Sequence, residues 1–479
     1  MSEIHTEVQR HGMMYLVSSL GITMIGFLAT IFYAHWVGPA VLGAYLLFVS
    51  FFNILSFIAD FGIGYAGTQR ICEGKDPDSF FTASLAIRMG LYILIVAALI
   101  IFRERFVDLN QTGLFWVLII VVGLSTLQTS FGVAISASNR LGLAASTTLI
   151  NNITRIVVQV IGVFLGYQVY GLVGGLVTGI LLELIIELKF IDYRFTKFTW
   201  YHVKSLFSFS SGVVLISAGS ILFDNINLII IAYFLPVSYV GIFGVCWTFS
   251  FFALFISTAL VNTLYVKVSR WNAQKDMHAI ALSLSRATTY SLIFALPMLI
   301  GGMMLGYNLL FYLYGESFTA GATALVIIIA MRVIQSVLNL YTNFLMATNQ
   351  AKQAIAGILV GILVNIVLCL LLVPFIGIAG AAAGALANVM ISIFIVRKYL
   401  SKTVPITLET AAIRHIVIAT VVMTLALLVM RALPLGQSLI LTITMVVIGA
   451  LIYFTVLLKL DAQIREDAIR TFRITWVPK

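Results

Sequence analysis

Four apolar segments of the sequence each carry a stripe of polar side chains at helical spacing. Positions three, four and seven apart share one face of a helix, so a polar stripe marks the side that is turned away from lipid. Arg side chains in such a stripe can bind phosphate oxygens with forked hydrogen bonds, and the amides and hydroxyls can bind sugar hydroxyls. The stripes are Ser50, Asn53, Ser56 and Asp60; Thr148, Asn151, Asn152, Arg155 and Gln159; Ser217, Ser220, Asp224 and Asn227; and Arg332, Gln335, Ser336, Asn339 and Asn343.

The stripes allow two interpretations. Polar groups inside a membrane can simply connect helices, as glycines at GxxxG spacing do. A hydrated cavity explains better why two of the four stripes contain an Arg, because a charge in hydrocarbon is costly unless it faces protein or water. Asp224 could then pair with an Arg or bind a cation in that cavity, or it could belong to a structural ion pair. The combination of cations with neutral donors and acceptors favours an anionic cargo such as a lipid-linked diphosphate sugar.

Membrane-spanning helices are the elements that must position these side chains. Of the 479 residues, 61% are hydrophobic and only 10% are charged, which is far from the composition of a soluble domain. Apolar segments of about 20 residues, enough to cross roughly 30 Å of hydrocarbon as a helix, recur along the whole chain. We predict an all-α integral membrane protein with about fourteen spans, near 13–34, 42–65, 80–102, 113–137, 143–167, 171–190, 209–234, 239–266, 285–313, 320–347, 353–375, 378–397, 412–431 and 436–458.

The distribution of positive charge indicates the topology. If the amino terminus is cytoplasmic, the inner segments hold 22 of the 28 Lys and Arg residues, and the outer loops hold only Arg103, Arg105 and Arg431. This asymmetry predicts that both termini are cytoplasmic in a multi-pass protein of the cytoplasmic membrane. The net charge of +10 is therefore a topology signal and does not indicate a nucleic-acid partner. The remaining three cations, Arg88, Arg155 and Arg332, fall within predicted spans.

A weak internal repeat predicts the domain organisation. A shift of 198 residues aligns Gly43 with Gly241 and Arg88 with Arg286. We predict two six-helix lobes, 1–205 and 206–400, related by a pseudo-twofold axis along the membrane normal, and an extra helix pair with a basic cytoplasmic tail at 401–479. Glycine pairs at GxxxG spacing are expected to pack helices together. These pairs are Gly162/Gly166, Gly175/Gly179, Gly357/Gly361 and Gly380/Gly384.

Several kinds of chemistry are disfavoured by the sequence. The only Gly-Lys pair, Gly74-Lys75, lacks the rest of a phosphate-binding loop. No His or Cys spacing is typical of a metal site. The outer loops are short, the longest being about 103–112, so they offer little room for a catalytic site. We therefore predict a transporter and not an enzyme, with no cofactor and no resident metal.

Three segments resemble the polysaccharide-unit flippases of the multidrug/oligosaccharidyl-lipid/polysaccharide (MOP) superfamily. They are FDNINLIIIAYFLPVSYVGIF (223–243), GPAVLGAY (38–45) and DFGIGYAGTQRI (60–71). The resemblance implies a MATE-like pair of six-helix lobes that alternates between inward-open and outward-open states. It also implies that 412–431 and 436–458 form a groove for a lipid tail, as in related lipid II flippases. Relatives place cationic residues in the cavity for the diphosphate.

We predict a flippase that carries a polyprenyl-diphosphate-linked oligosaccharide, a polysaccharide repeat unit, across the cytoplasmic membrane. A lipid II flippase and a cation-coupled multidrug exporter of the same superfamily are the alternatives. Na⁺ or H⁺ is a candidate coupling ion, membrane lipids and polysaccharide polymerase or ligase enzymes are candidate partners, and we expect a monomer. Arg88 and Arg286 could instead anchor the topology near the cytoplasmic headgroups. The predicted substrate-binding residues are Arg88, Arg155, Arg332, Asn151, Asn339 and Gln335, and the predicted coupling or gating residues are Asp224, Asn227 and Asp60.

Overall fold

A computed structural model describes residues 2–105, 113–138, 140–432 and 438–467 of the chain. These residues form fifteen α-helices, three short 3-10 turns and no strand. The chain divides into two compact units, Met1–Gly241 and Ile242–Lys479. The first contains α1 (Ser2–Asp60), α2 (Ile63–Cys72), α3 (Pro77–Ile101), α4 (Leu114–Ala137), α5 (Leu141–Phe164), α6 (Gln168–Lys189) and α7 (Trp200–Phe234), and α8 (Val237–Ser250) includes the boundary. The second contains α9 (Phe255–Ala273), α10 (Met277–Tyr314), α11 (Ala322–Ala347), α12 (Ala351–Ile376), α13 (Ile378–Leu400), α14 (Thr410–Ala432) and α15 (Leu439–Leu460).

Thirteen stretches among the described residues are long and apolar enough to cross a membrane. The first of them, Met24–Asp60, contains a break at Gly38, where φ is 71° and ψ is 178°. Glycine adopts this positive φ without a steric penalty, and the following Pro39 has the φ that begins a new helix. The all-α, MATE-like membrane architecture predicted from the sequence is confirmed. The count of fourteen spans and the pseudo-twofold symmetry stay predictions.

Two apolar cores hold the first unit together. In one of them α1, α3, α4 and α6 pack around buried residues such as Phe48, Phe115 and Leu118. In the other, residues of α2, α3, α4 and α6 surround Phe81, and Leu206 of α7 completes the core. α7 packs against α1, α2 and α3. The predicted lobes are defined by a sequence repeat and not by packing, so their boundaries stay a prediction.

In the second unit the last two helices pack against α10. Their shared core contains Met423, Tyr453 and Leu457, and the Tyr453 hydroxyl donates a hydrogen bond of 2.7 Å to the carbonyl oxygen of Ile293. α12 and α13 form a second tight pair, and α11 packs against α10, α9 and α13. The helix pair that the sequence predicted after the second lobe is therefore tied to α10 by apolar packing and one buried hydrogen bond.

Glycines allow the closest approaches between helices. A Cβ atom on Gly171 of α6 would lie 2.7 Å from the backbone carbon of Gly162 on α5. A Cβ atom on Gly361 of α12 would lie 2.1 Å from the hydroxyl of Ser392 on α13. Seven of the eight glycines predicted to pack helices have close contacts of this kind with a neighbouring helix, namely Gly162, Gly175, Gly179, Gly357, Gly361, Gly380 and Gly384. Gly166, by contrast, lies beyond the end of α5 with a φ of 80°.

Candidate substrate and coupling site

Asp60 ends α1 and caps the helix that follows. The chain turns through Phe61 and Gly62, both at positive φ, and α2 begins at Ile63. One Asp60 carboxylate oxygen accepts a hydrogen bond of 3.0 Å from the Gly62 amide, and the other accepts one of 3.1 Å from the Gly64 amide. A carboxylate at the amino end of a helix is stabilised by these amides and by the helix dipole. This turn explains the Asp and the first Gly of the DFGIG motif.

Arg88 of α3 binds the same carboxylate. Its guanidinium forms an ion pair with Asp60 and donates a hydrogen bond of 2.8 Å to the hydroxyl of Ser130 on α4. The Arg88 side chain is only 3% exposed, whereas that of Asp60 is 32% exposed. A Cβ atom on Gly64 would lie 2.2 Å from the Arg88 guanidinium, so the second Gly of the motif leaves room for the ion pair. The structure therefore joins a predicted substrate-binding residue to a predicted coupling residue.

A cavity of about 40 Å³ lies beside this ion pair. Since a buried water needs roughly 10–15 Å³ by this measure, the cavity has room for about three waters. Arg88 lines it, and within the described part of the chain the buried Arg88 Nε has no hydrogen-bond partner. The site therefore combines a cation, a carboxylate and several hydroxyls inside a membrane-spanning unit. The lining residues are Ser56, Asp60, Arg88, Ser125, Thr126 and Thr129.

Glu183 orders the polar stripe of α5, and the sequence analysis missed it. Its carboxylate accepts a hydrogen bond of 2.5 Å from the Asn151 amide and one of 3.1 Å from the Thr148 hydroxyl. Arg155, which is partly exposed, donates a hydrogen bond of 3.0 Å to the Asn152 side-chain oxygen. Asn151 is thus held against α6, one helical turn from Arg155.

A second buried carboxylate lies one turn further along α6. Glu187 accepts a hydrogen bond of 3.3 Å from the Gln128 amide on α4. Both Glu183 and Glu187 are buried, although α6 is otherwise apolar around them. The sequence signal that could have revealed them is LLELIIELK (181–189), in which two acids four residues apart share a helix face inside a predicted span.

On α7 the polar residues face in different directions. Asn225 is buried and accepts a hydrogen bond of 3.1 Å from the Asn53 amide on α1. Asn227 is also buried, whereas Asp224 is exposed. Asn225, which had no role of its own in the sequence prediction, is therefore the residue of this motif that joins α7 to α1.

Arg332 of α11 lies in the second unit between two aromatic rings. Its guanidinium carbon is 4.2 Å from the ring centroid of Trp247 and 4.2 Å from that of Phe251. Its Nε donates a hydrogen bond of 3.0 Å to the Ser250 hydroxyl, and another nitrogen donates one of 2.6 Å to the Gln335 side-chain oxygen. The residue is 1% exposed. Stacking of this kind is favourable when the cation is desolvated, so these contacts fix the guanidinium at the break between α8 and α9.

The remaining predicted residues lie apart from these contacts. Asn339 is partly exposed, and its backbone carbonyl accepts a hydrogen bond of 2.8 Å from the Asn343 amide. Arg286, the repeat mate of Arg88, is 46% exposed and lies 3.8 Å from Glu409. The two repeat-related arginines therefore have different surroundings. Among the described residues no three His, Cys, Asp or Glu side chains lie close enough together to hold a metal ion.

Comparison with known proteins identifies the family. A family model described as "Polysaccharide biosynthesis protein" matches residues 33–323. The chain belongs to this family. Among curated proteins, it is 25% identical over 445 residues to the probable low-salt glycan biosynthesis flippase Agl15 of Haloferax volcanii, covering 93% of this chain and 94% of the relative. It is 24% identical over 457 residues to the probable flippase AglR of the same organism, with the same coverage.

Solved structures agree on the fold of this polysaccharide biosynthesis protein. The lipid II flippase MurJ in an inward closed conformation superposes with a TM-score of 0.80 over 95% of this chain and 100% of MurJ, at 15% identity. A MATE family multidrug transporter of the MOP superfamily in an inward-facing conformation gives a TM-score of 0.65 over 80% of this chain and 95% of the transporter, at 13% identity. The chain is therefore a multi-pass membrane flippase, and its relatives are named as flippases and transporters and not as enzymes.

Proposed function

We propose that this flippase moves a polyprenyl-diphosphate-linked oligosaccharide from the inner to the outer leaflet of the cytoplasmic membrane, with both termini in the cytoplasm. The observation that carries the proposal is Arg88, a buried cation beside a hydroxyl-lined cavity within membrane-spanning helices. An Arg offers planar, paired donors that match the oxygens of a diphosphate. The name of one relative, a glycan biosynthesis flippase, supports the same class of cargo.

In this proposal, binding of the cargo changes the protein because the diphosphate replaces Asp60 as the partner of Arg88. In the conformation described, the Asp60 carboxylate binds Arg88 and caps α2 at the same time. A diphosphate that binds Arg88 displaces Asp60, which then keeps only its contacts with the two glycine amides. Protonation of Asp60, or binding of Na⁺ by its carboxylate, releases Arg88 in the same way. Either ion could therefore drive the cycle through the turn between α1 and α2.

The other predicted residues contribute further binding groups in this proposal. Arg155 provides a second, partly exposed cation, and Arg332 a third in the second unit. Amide side chains along the stripes offer donors and acceptors to the sugar hydroxyls. We assign this role to Asn151, Asn339 and Gln335, and a role in conformational cycling to Asp224 and Asn227. We further propose that the flippase acts as a monomer and delivers its cargo to polymerase or ligase enzymes.

Deletion of the gene in its native host, followed by mass analysis of lipid-linked glycans, tests the cargo. We expect a polyprenyl-diphosphate oligosaccharide to accumulate in the deletion strain and to disappear when the wild-type chain is restored. Accumulation of lipid II, with rescue of a strain lacking its own lipid II flippase, would instead establish the first alternative. Normal lipid-linked glycans together with sensitivity to organic cations would establish the multidrug exporter.

Variants in the same strain test the site. We expect Arg88→Ala to abolish export while the protein stays in the membrane, and Arg88→Lys to restore only part of it because the paired geometry is lost. Arg286→Ala is the matched control, since the repeat mate of Arg88 is half exposed, and it should export normally. Full export by Arg88→Ala would remove this residue from the cargo site.

A further inference from the structure

The connection between α6 and α7 is rich in both aromatic and basic residues. Residues 189–204 read KFIDYRFTKFTWYHVK. We call this segment the strap. It contains no helix from residue 190 to residue 199, and the chain enters α7 only at Trp200. A connection of this composition between two membrane-spanning helices differs from an ordinary polar loop.

Hydrogen bonds hold the strap against the beginning of α3. The Arg194 amide donates a hydrogen bond of 3.0 Å to the Asp78 carboxylate, and the Thr196 amide donates one of 3.1 Å to the Thr82 hydroxyl. The Tyr193 ring stacks on Phe81, with 5.8 Å between the ring centroids. The strap is therefore an ordered segment whose backbone already has partners in the protein.

Most of the exposed side chains of the strap are aromatic rings or cations. Three aromatic rings are largely exposed, with exposed fractions of 68% for Phe195, 76% for Trp200 and 68% for Tyr201. The cations of the strap are exposed as well. They are Lys189, Arg194, Lys197 and Lys204. The one acid of the strap, Asp192, is paired with Arg140 at 2.7 Å, so it does not neutralise these four cations.

We propose that the strap binds anionic lipid headgroups of the inner leaflet, with its exposed rings inserted at the level of the headgroups. Trp and Tyr prefer this depth because their rings are apolar and their N–H or O–H group remains hydrated. Lys and Arg beside them attract the negatively charged leaflet. The strap joins the ends of two membrane-spanning helices, so its side chains lie at the membrane surface. Lipid headgroups are therefore the nearest anionic groups, and we favour them over an acidic protein as the binding partner.

The position of the strap makes this binding relevant to transport. α7 begins within the strap, and 24 residues after Trp200 it reaches Asp224, followed by the Asn225 contact with α1. Lipid headgroups bound by the strap fix the depth of the first turn of α7 in the membrane, and with it the depth of Asp224 and Asn225. Transport should therefore depend on anionic lipid. The inference uses the predicted orientation of the chain but is independent of which cargo it carries.

Fluorescence of the full-length protein in lipid nanodiscs tests the binding. The contribution of Trp200 is the difference between the wild-type spectrum and that of Trp200→Phe. We expect brominated phosphatidylglycerol to quench this contribution more strongly than brominated phosphatidylcholine does. In the variant K189Q/R194Q/K197Q/K204Q the preference for the anionic lipid should fall, by about fivefold per cation removed.

A matched control carries four neutralised cations elsewhere on the predicted inner side. The variant K267Q/K275Q/K352Q/K398Q, at four exposed positions, should keep the wild-type quenching preference and the wild-type response of transport to phosphatidylglycerol. Equal quenching by both lipids would overturn the proposal. It would also be overturned if iodide in the aqueous phase still quenched Trp200 in anionic nanodiscs, because the ring would then face water and be available to a soluble partner.

Discussion

Among the described glycines of the first unit, Gly43 has the least room for an added methyl group. A Cβ atom on Gly43 of α1 would lie 2.0 Å from the carbonyl oxygen of Val237, and one on Gly241 of α8 would lie 2.2 Å from the carbonyl oxygen of Pro39. These two glycines are aligned by the internal repeat of the sequence. Because each faces backbone and not a mobile side chain, the neighbour cannot rotate away from an added methyl group.

The size of the effect follows from two opposed contributions. Replacing Gly by Ala inside a helix is favourable by about 1 kcal/mol. Forcing an extra carbon into a packed interface typically costs about 1–3 kcal/mol, and a contact of 2.0 Å with backbone places Gly43 at the upper end of that range. We therefore expect Gly43→Ala to lower the free energy of unfolding by about 1–2 kcal/mol.

Gly90→Ala on α3 is the matched control, since a Cβ atom there has no atom within 4 Å. It should raise the free energy of unfolding by about 0.5–1 kcal/mol, so the two variants should shift in opposite directions. Thermal unfolding of the purified protein in detergent measures the difference. If Gly43→Ala proves as stable as Gly90→Ala, the contact between α1 and α8 is not as close as we describe and the reasoning fails.

Three further substitutions test other contacts. Glu183→Ala should lower the free energy of unfolding by about 1–3 kcal/mol because two donors on α5 lose their acceptor, whereas Glu183→Gln, which keeps one acceptor oxygen, should lose less; denaturant titration compares them. Arg332→Lys should destabilise the protein by about 1–2 kcal/mol because Lys loses the stacking on Trp247 and cannot replace both hydrogen bonds, to Ser250 and to Gln335, and an equal midpoint of thermal unfolding would contradict this. Burial alone would raise the pKa of Asp461. Hydrogen bonds from backbone amides and from His415 together lower it by more than burial raises it, so the pKa of Asp461 lies below the ordinary value. A lowered pKa stabilises the folded state above the ordinary Asp pKa, and this stability is lost as the pH falls through the folded-state pKa; Asp461→Asn should remove that acid-dependent fall in the unfolding temperature.

The composition of the chain and the lengths of its apolar segments were sufficient to predict the all-α membrane architecture. Membrane helices must satisfy their own backbone hydrogen bonds and be apolar along their length, so each one leaves a long, unmistakable run in the sequence. Even the break within the first helical stretch has a local signal in Gly38 and Pro39, which fall between two predicted spans. The helix pair α14 and α15 was likewise predicted as two extra elements, but nothing in the sequence indicated that the pair packs against α10.

The candidate site was less predictable, because the rotation of each helix decides which polar residues meet. Asp60 and Arg88 were assigned separate roles from the sequence, and only the packing of α1 against α3 brings them into one ion pair. The aromatic rings around Arg332 are about 80 residues away in the chain and leave no local pattern. Glu183 did have a signal in LLELIIELK, but the two acids of that segment do not form a mixed polar stripe like those of the other helices.

The arrangement at Asp60 and Arg88 is easier to understand as a working site than as a support for the fold. Removing two charges from water costs about as much as their attraction returns, and apolar side chains of similar volume often stabilise a protein as well or better. Here the ion pair additionally requires Gly64 to stay free of a side chain and leaves beside it a small cavity lined by Ser, Thr and the charged pair. A chain that needed only stability could fill that space with Leu or Phe, as it does nearby at Leu118 and Phe115. Charges retained inside a membrane at such a cost are typical of the path of an ion or a charged substrate. The two partners also differ in exposure, because Asp60 is more accessible than Arg88. An exchange of anions at Arg88 requires this asymmetry, since the acid must be able to leave.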